Sequence, residues 1–438
     1  MNHRIIAEQI FLAGINSVLP DRLISNKLIL NNNCLTIGKL NFSLEFIDKI
    51  YIIGAGKGSA KMAAEVENIL GSRITGGHII VKYGHACKLK YINISEASHP
   101  VPDSNGYKAT KDILEIAGMA SRKDLVICLL SGGGSALLPD FPEVSSPEEM
   151  ILLNNLLINS GAGIKEINAV RKHLSVVKGG QLARAVYPAT LISLILSDVP
   201  GDPLDAIASG PTTPDPTTFE QAIAVLEKFN LIQHVSHAIL EYLNEGKAGN
   251  RPETPKPGNP VFEKTHNILI GNNSLALEAA QRKALEFNIN AFIINHQLEG
   301  DVSMVAEYIL ETSLKFKENK NEIKPGCLLF GGETTVNMTG KGQGGRNQHL
   351  ALLSAILLQN HPGITILSAG TDGTDGPTEV AGAVVDSDTI PDALSENIYP
   401  EKYLSEFDSY HFFNRAGGHI ITGPTMTNVM DMIVVIVE

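Results

Sequence analysis

The 438-residue sequence lacks several features that would place it in other protein classes. It has no segment of about 18 uninterrupted apolar residues, so no transmembrane helix is predicted. Its N-terminus has no basic start followed by an apolar run, so a cytoplasmic location is expected. Its 4 cysteines form no CxxC pair, which fits neither a zinc knuckle nor a dense disulfide framework.

Positive charge is also scarce. The 35 Lys and Arg residues stand against 47 Asp and Glu residues, and the net charge of −12 argues against nucleic acid and anionic membranes as partners. A small anionic ligand would therefore need a local cluster of cations. The 43% hydrophobic content, with 40 Gly and 22 Pro, is that of a globular protein with large cores.

Short β-branched runs alternate with helical patterns along the chain. The runs that read as strands buried on both faces are 50–53, 77–81, 125–130, 191–196, 267–270, 291–294, 327–330, 364–368 and 433–437. This alternation predicts an α/β fold of two doubly wound, three-layer α/β/α domains with largely parallel sheets and an interdomain cleft.

A domain boundary is predicted at 246–260, where four prolines and three glycines occur without a periodic apolar face. We therefore expect a Rossmann-like α/β domain over 1–245, a linker over 246–260 and a C-terminal α/β domain over 261–438. The segment 410–438 could pair with either sheet.

The first glycine-rich turn follows the strand 50–53 and precedes an apolar helical stripe. A glycine turn at a helix N-terminus lets the backbone approach an anion that the helix dipole attracts. The turn lacks the acidic residue that a dinucleotide fingerprint has after the next strand, and it lacks the Ser or Thr that a P-loop would have at Gly58. It predicts an anion site, with a plain tight turn as the alternative, at Gly54, Gly56, Lys57, Gly58 and Ser59.

Two further glycine-rich turns predict anion-binding loops. The second consists of Ser131, Gly132, Gly133, Gly134 and Ser135. The third contains Gly344, Gly345, Arg346 and Asn347, before a helix expected to start near Asn347. A cation at a helix N-terminus opposes the helix dipole, so Arg346 indicates an anion bound between the two, with a surface arginine as the alternative.

Carboxylates follow strand ends or glycine turns at Asp198, Glu333 and Asp372. Mg²⁺ prefers one or two carboxylates plus phosphate oxygens, which makes Asp198 and Asp372 candidate metal ligands. Asp202 and Asp375 fit an Asx-turn at least as well.

A cationic cluster is predicted on the helix around 164–174. Asn168, Arg171 and Lys172 lie on its polar face and Lys178 follows it, which supplies positive charge for an anionic substrate. A solvated helix face is the alternative. His99, in a proline-stiffened segment, could contact a ligand or pack a loop.

Eight motifs, in this order, resemble the glycerate 2-kinase family with a MOFRL-type C-terminal domain. They are GAGKGSA, HPVPDSNG, SGGGSALL, EINAVRKHLSVVKGGQLA, LSDVPGDP with IASGPT, GGETTV with GKGQGGRNQ, AGTDGTDGPTEVAGA and TGPTMTNVMD. The resemblance spans about residues 49–431. It implies a two-domain kinase that uses ATP as co-substrate and Mg²⁺ to phosphorylate D-glycerate at the 2-hydroxyl, giving 2-phosphoglycerate.

The resemblance also implies that Lys57 and Arg346 face each other across the cleft. Both are expected to act on the transferring phosphate, with Glu333 positioning or deprotonating the hydroxyl. The loop 132–135 is expected to bind a phosphate, Arg171 with Lys178 the glycerate carboxylate, and Asp198 or Asp372 Mg²⁺. A monomer or homodimer is expected. The alternative functions are an NAD(P)H-dependent hydroxypyruvate reductase and a non-catalytic sugar-phosphate sensor.

Overall fold

The computed structural model describes residues 2–319, 323–336 and 340–438. It divides into two compact units, each built on a six-stranded sheet, which confirms the α/β class. The N-terminal unit comprises Pro20–Ser197 and Asp202–Ile270. The C-terminal unit comprises Met1–Leu19, Asp198–Gly201 and Gly271–Glu438. No helix in the described ranges is long and apolar enough to cross a membrane.

Nine strands occur in the described part of the N-terminal unit. They are β1 (Leu28–Asn31), β2 (Cys34–Ile37), β3 (Leu40–Ser43), β4 (Ile50–Ala55), β5 (Gly76–Lys82), β6 (Asn93–Ala97), β7 (Leu125–Leu130), β8 (Thr190–Leu196) and β9 (Thr265–Gly271). Strands β1 to β3 form a small antiparallel sheet.

The main sheet of this unit has the order β6-β5-β4-β7-β8-β9. The pairings from β6 to β8 are all parallel, as predicted. The order reverses between β4 and β7, and doubly wound sheets bind ligands beyond the carboxyl ends of their strands at such a point. The first and second glycine turns lie there, because they follow β4 and β7.

The helices of the N-terminal unit cover this sheet and form a separate helical cluster. They are α2 (Pro20–Ser25), α3 (Ser59–Leu70), α4 (Ser104–Met119), α5 (Gly134–Leu137), α6 (Pro147–Asn159), α7 (Ile164–His173), α8 (Gln181–Val186), α9 (Phe219–Lys228) and α10 (His237–Lys247). Ile167, Val170 and Leu174 anchor α7 and the turn after it in the apolar core of that cluster. The opposite face of α7 is left to present polar groups.

The segment 246–260, predicted to be a linker, lies inside the N-terminal unit, and the main division in the structure falls at Ile270 instead. Residues 2–19 and 198–201, predicted to lie in the N-terminal domain, belong to the C-terminal unit. Arg184 Nη2 donates to Glu253 O at 2.7 Å, and Thr254 Oγ1 donates to Asp215 Oδ2 at 2.9 Å. Prolines and glycines mark the absence of periodic structure, but they do not reveal whether an irregular segment is packed.

The C-terminal unit has six strands and seven α-helices in its described part. The strands are β10 (Asn290–Asp301), β11 (Gly326–Thr335), β12 (Ile364–Gly370), β13 (Gly382–Asp386), β14 (His419–Ile420) and β15 (Asp431–Val437). The helices are α1 (His3–Ser17), α11 (Asn273–Glu286), α12 (Val302–Glu318), α13 (Arg346–Leu358), α14 (Thr389–Ser395), α15 (Pro400–Ser405) and α16 (Ser409–Ala416).

The sheet of the C-terminal unit is mixed, which corrects the expectation of a largely parallel sheet. Its order is β10-β11-β15-β12-β13-β14, and β10 with β11 is the parallel pair. The last strand, β15, runs antiparallel between β11 and β12. The apolar runs predicted the strands but not their direction, because a strand buried on both faces has the same pattern either way. The position of β15 places the C-terminal strand in this sheet.

The register of β15 brings polar groups to one edge of the sheet. Asp431, its first residue, lies opposite Gly332 of β11 and Gly370 of β12. Glu333 directly follows Gly332 in the chain, and Asp372 lies two residues after Gly370. Carboxylates from three strands therefore meet near this edge.

Candidate functional site

The first two glycine turns pack against each other. A Cβ on Gly54 would lie 2.0 Å from Leu129 O, and one on Gly56 would lie 2.2 Å from Ser131 Oγ. Lys57 N donates to Gly132 O at 2.8 Å. These glycines are therefore required by the close approach of the neighbouring strand and turn.

Two serines predicted to bind ligand connect these turns. Ser59 Oγ lies 3.0 Å from Ser131 Oγ and 3.1 Å from Leu129 O, and Gly58 N donates to Ser131 Oγ at 3.0 Å. Both serines are buried. Their hydroxyl groups are engaged in fixing the turns that carry Lys57 and Gly133.

Basic side chains gather beside the first turn. His85 Nδ1 lies 3.0 Å from Lys57 O, and His99 packs on the second turn, with Nε2 2.9 Å from the position of a Cβ on Gly133. Burial, together with the charges of Lys57, Lys82 and His85, lowers the pKa of His99 to about 4. His99 is therefore neutral near pH 7, and the basic groups beside it favour an anionic ligand at this end of the sheet.

Arg171 faces a second candidate site in this unit. Its Nη2 donates to Ser135 Oγ at 3.1 Å, and burial lowers the pKa of the guanidinium. Both residues line a small pocket, together with Tyr107, Asn154 and the Asp140 carboxylate. Among residues 2–319, 323–336 and 340–438, no carboxylate forms a salt bridge with Arg171. Asp140, which pairs with Lys178, supports the charge of Arg171 through space, but no carboxylate contacts the guanidinium, so this partly buried cation favours an anionic ligand in the pocket.

The two lysines near Arg171 are neutralised within the unit. Lys178 Nζ lies 2.8 Å from Asp140 Oδ1 and donates to Leu138 O at 2.7 Å. Burial lowers the pKa of Lys178, and Asp140 opposes that shift. Lys172 Nζ lies 3.5 Å from Asp215 Oδ1. Lys178 therefore has an acidic partner already, and of the predicted cluster Arg171 is the residue suited to bind a carboxylate.

Asn168 is buried behind this pocket and contacts a residue that the sequence analysis missed. Its Oδ1 accepts from Ser209 Oγ at 3.3 Å, and Ser209 Oγ lies 2.7 Å from Ser135 Oγ. Ser209 belongs to one of the family motifs, but no local pattern around it indicated a role. Only the contacts of Ser209 with residues far away in the sequence reveal its place in the site.

In the C-terminal unit, Arg346 is held by two carboxylates. Its Nε and Nη2 lie 2.5 Å and 2.9 Å from the two carboxylate oxygens of Asp431, and its Nη1 lies 2.9 Å from Glu333 Oε1. Burial opposes the charge of Arg346, but Asp431 and Glu333 raise its pKa overall. The anion predicted beside Arg346 is therefore present within the protein, and Asp431 is a functional candidate that sequence reasoning had not singled out.

The N-terminus of α13 also has an internal anion. Asp375 Oδ1 accepts from Asn347 N at 3.1 Å, and Asp375 Oδ2 accepts from Gln348 N at 2.8 Å. A Cβ on Gly345 would lie 2.3 Å from Asp375 Oδ1, and one on Gly344 would lie 2.2 Å from a serine hydroxyl. Burial raises the pKa of Asp375 to about 6 despite these hydrogen bonds. Asp375 therefore caps the helix in place of the external anion expected there.

The candidate metal ligands Asp198 and Asp372 both belong to the C-terminal unit. Asp372 Oδ1 accepts from Thr374 N and Thr374 Oγ1, each at 3.0 Å. Within the described ranges, no group of three or more His, Cys, Asp or Glu side chains forms a metal-binding cluster. Mg²⁺ bound to phosphate oxygens and water needs only one or two carboxylates, so the chemistry of these two donors fits a metal that arrives with a nucleotide.

Family models match both parts of the chain in the order that the two units suggest. A model of a domain of unknown function, DUF4147, matches residues 6–244, and a model of the MOFRL family matches residues 326–431. The chain is therefore of the class that combines these two domains.

Individual relatives narrow this class. The D-glycerate 2-kinase of Thermotoga maritima is 41% identical over 434 residues, which cover 98% of this chain and 97% of that protein. A crystal structure of glycerate kinase from the same organism has a TM-score of 0.87 at 38% identity and covers 99% of each chain. A putative hydroxypyruvate reductase of Agrobacterium vitis is 39% identical and covers 87% of this chain and 85% of that protein. The chain belongs to the glycerate 2-kinase family.

We expect Arg346→Ala to destabilise the protein. The substitution leaves the Asp431 carboxylate, which is 4% exposed, without its cation. Breaking a buried ion pair from one side costs about 3–5 kcal/mol. The double variant Arg346→Ala/Asp431→Asn should recover part of this loss, because it also removes the buried negative charge. Urea unfolding measures both effects.

Arg415→Ala is the matched control, because this exposed arginine of the same unit has Tyr403 OH as its one hydrogen-bond partner among the described residues. Its effect should stay within about 0.5 kcal/mol. A double variant less stable than Arg346→Ala alone would contradict the ion-pair explanation.

A second prediction concerns pH. The pKa of Asp375 is raised to about 6 in the folded protein from an ordinary value of 3.8. Between these values the folded state keeps a proton that the unfolded state releases, so the free energy of unfolding falls as pH rises through this window. The fall amounts to at most about 3 kcal/mol. Asp375→Asn should lack it.

The measurement is the free energy of unfolding of both proteins at intervals from pH 4 to pH 7. Loss of one acceptor oxygen lowers the stability of Asp375→Asn by an amount independent of pH, so the difference in slope is the readout. Other titrating groups are common to both proteins and cancel. Parallel curves would show that folding does not raise the pKa of Asp375.

Proposed function

We propose that this protein transfers the γ-phosphoryl group of ATP to the 2-hydroxyl of D-glycerate and releases 2-phosphoglycerate and ADP. The observation that carries the proposal is Arg171, a partly buried cation that no carboxylate contacts directly in the described ranges, in a pocket that it lines with Ser135, Asn154 and the Lys178–Asp140 ion pair. Family membership supplies the reaction. The proposed partners are the two small-molecule substrates, and the proposed assembly is a cytoplasmic monomer or homodimer.

Arg171 is suited to the glycerate carboxylate because a guanidinium binds a carboxylate through two parallel hydrogen bonds. Ser135 Oγ, 3.1 Å from Arg171 Nη2, orients the guanidinium. Lys178 contributes indirectly, since its ion pair with Asp140 fixes one wall of the same pocket.

Lys57 is proposed to stabilise the transferring phosphate. Phosphoryl transfer depends on positioning and charge neutralisation, and Lys57 lies on a turn fixed by Gly132 with His85 beside it. The backbone N–H groups of the loop 132–135 are proposed to bind a phosphate of nucleotide or substrate.

Arg346 is proposed to bind a phosphate in the C-terminal unit. Its two carboxylate partners are unequal, because Asp431 is 4% exposed whereas Glu333 is 45% exposed. A phosphate that binds Arg346 would therefore replace Glu333, while Asp431 continues to orient the guanidinium. A displaced Glu333 would be available to position or deprotonate the glycerate hydroxyl.

Mg²⁺ is proposed as the cofactor, held by Asp198 and Asp372. When bound, the metal would neutralise charge on the phosphate oxygens of ATP. Thr374 fixes the Asp372 carboxylate for this role through two hydrogen bonds.

A hydroxypyruvate reductase is the second candidate, because one relative has that name. The main sheet has the strand order of a dinucleotide-binding fold. However, Gly54 and Gly56 face Leu129 and Ser131 rather than open space. The second strand also ends in Lys82, not in the acid that binds a ribose. Both features favour the kinase.

We expect ADP to form only when ATP, Mg²⁺ and D-glycerate are all present. A coupled assay for ADP, with the product typed as 2- or 3-phosphoglycerate, tests this directly. Hydroxypyruvate with NADH or NADPH in the absence of ATP should give no oxidation of the nicotinamide. Steady oxidation there would support the reductase, and binding of sugar phosphates without turnover would support a sensor.

Two substitutions should give different kinetic signatures. Lys57→Ala should lower kcat by about 10²–10³, the usual effect of losing one group that stabilises transition-state charge. Arg171→Ala should chiefly raise the KM for glycerate, because it removes a contact that also exists in the ground state. Steady-state kinetics with each substrate varied separates the two.

Arg184→Ala is the control, since this arginine lies in the same unit and bonds to Gln181 and to a backbone carbonyl. It should leave both parameters near the wild-type values. An unchanged KM for glycerate in Arg171→Ala would remove Arg171 from the substrate site.

A further inference from the structure

Three consecutive residues before Pro211 have left-handed backbone conformations. The φ angles of Ala208, Ser209 and Gly210 are +50°, +59° and +63°. Alanine and serine adopt this conformation at a cost in strain, which persists only where the surroundings impose it. Here Gly179 N donates to Ser209 O at 3.0 Å, and Gly180 N donates to Gly210 O at 2.8 Å.

The strained turn brings the Ser209 hydroxyl to Ser135 and Asn168. The Oγ atoms of Ser209 and Ser135 lie 2.7 Å apart, and Ser209 Oγ donates to Asn168 Oδ1 at 3.3 Å. Arg171 Nη2 donates to Ser135 Oγ at 3.1 Å. Four side chains therefore form one continuous series of hydrogen bonds that ends at the pocket.

The two ends of this series fix the direction of every hydrogen bond. A guanidinium can only donate, so Ser135 accepts from Arg171, and an amide oxygen can only accept, so Ser209 gives its single proton to Asn168. Ser135 must then give its own proton to Ser209. An oxygen lone pair of Ser135 is consequently held toward Arg171.

We infer that Ser209 is a positioning residue for substrate binding, and that it fixes the orientation of Arg171 through the Ser135 hydroxyl. Ser209 is 1% exposed and does not line the pocket, so it acts through Ser135 and not on the substrate. The strained backbone serves this purpose, because it brings the hydroxyl to Ser135. The inference rests on the proposed function, in which Arg171 binds the glycerate carboxylate.

Three substitutions separate the hydroxyl from the strain. Ser209→Ala removes the hydroxyl and keeps a strained residue, whereas Ser209→Gly removes the hydroxyl and relieves the strain. Ala208→Gly relieves strain at the neighbouring position and keeps the hydroxyl. The Cβ of Ala208 lies 3.0 Å from the position of a Cβ on Gly134. Ala208→Gly removes this atom from a crowded place, so the substitution creates no new clash.

The experiment measures binding of D-glycerate to the full chain by calorimetry, together with steady-state kinetics and thermal unfolding. Both Ser209 variants should weaken D-glycerate binding and raise its KM about three- to tenfold, the scale of one hydrogen bond. The kcat and the KM for ATP should stay unchanged. Ala208→Gly should bind D-glycerate as the wild type does, and Ser209→Gly should unfold at no lower temperature than Ser209→Ala.

Wild-type affinity in both Ser209 variants would overturn the inference and leave the proposed function intact. An equal loss in Ala208→Gly would also overturn it, because the backbone and not the hydroxyl would then be responsible. Failure of the wild-type protein to bind or phosphorylate D-glycerate is a different result, and it would overturn the proposed function itself.

Discussion

The positive charge of Arg171 is the constraint on which the N-terminal site depends. A buried cation costs several kcal/mol unless an anion or several hydrogen-bond acceptors accompany it. The neighbouring lysines Lys172 and Lys178 meet this requirement with Asp215 and Asp140. Arg171 has Ser135 Oγ as its hydrogen-bond partner in the described ranges. Asp140 acts on the guanidinium through space but does not contact it, so an anionic ligand in the pocket would supply the direct acidic partner that Arg171 lacks in the described ranges.

The glycine turns show a second role for glycine beside anion binding. At Gly56 and at Gly345 the missing Cβ makes room for part of the protein itself, a serine hydroxyl in one case and the Asp375 carboxylate in the other. In the N-terminal unit this close packing joins two turns and fixes the backbone of Lys57. In the C-terminal unit it lets Asp375 reach the backbone N–H groups at the start of α13. At these two positions the group that approaches the glycine is therefore internal, whereas the sequence predicted an external anion.

The local pattern of apolar residues was sufficient to predict much of the fold. The apolar runs predicted nine strands, although β9 and β10 are partly exposed and not buried on both faces as expected. Strands β1 to β3, β6 and β14 were missed because they are short or partly exposed, and β13 was missed although it is almost wholly buried. The partners of Arg346 were missed for another reason. Asp431 lies 85 residues further along the chain, and no local periodicity encodes a contact at that separation. Ser209 was missed for the same reason, because it lies far from Ser135 in the sequence although the two hydroxyl groups form a hydrogen bond.

The charges of the protein repel an anionic substrate at long range and attract it at contact distance. The net charge of −12 repels any anion at long range, but salt screens interactions beyond about 8 Å at physiological ionic strength. At contact distance the basic groups around Lys57 and the guanidinium of Arg171 dominate. A small anion can lie wholly within these local regions, whereas a polyanion would extend over acidic surface. The same charge distribution that favours a compact anion therefore disfavours nucleic acid, without any element dedicated to excluding it.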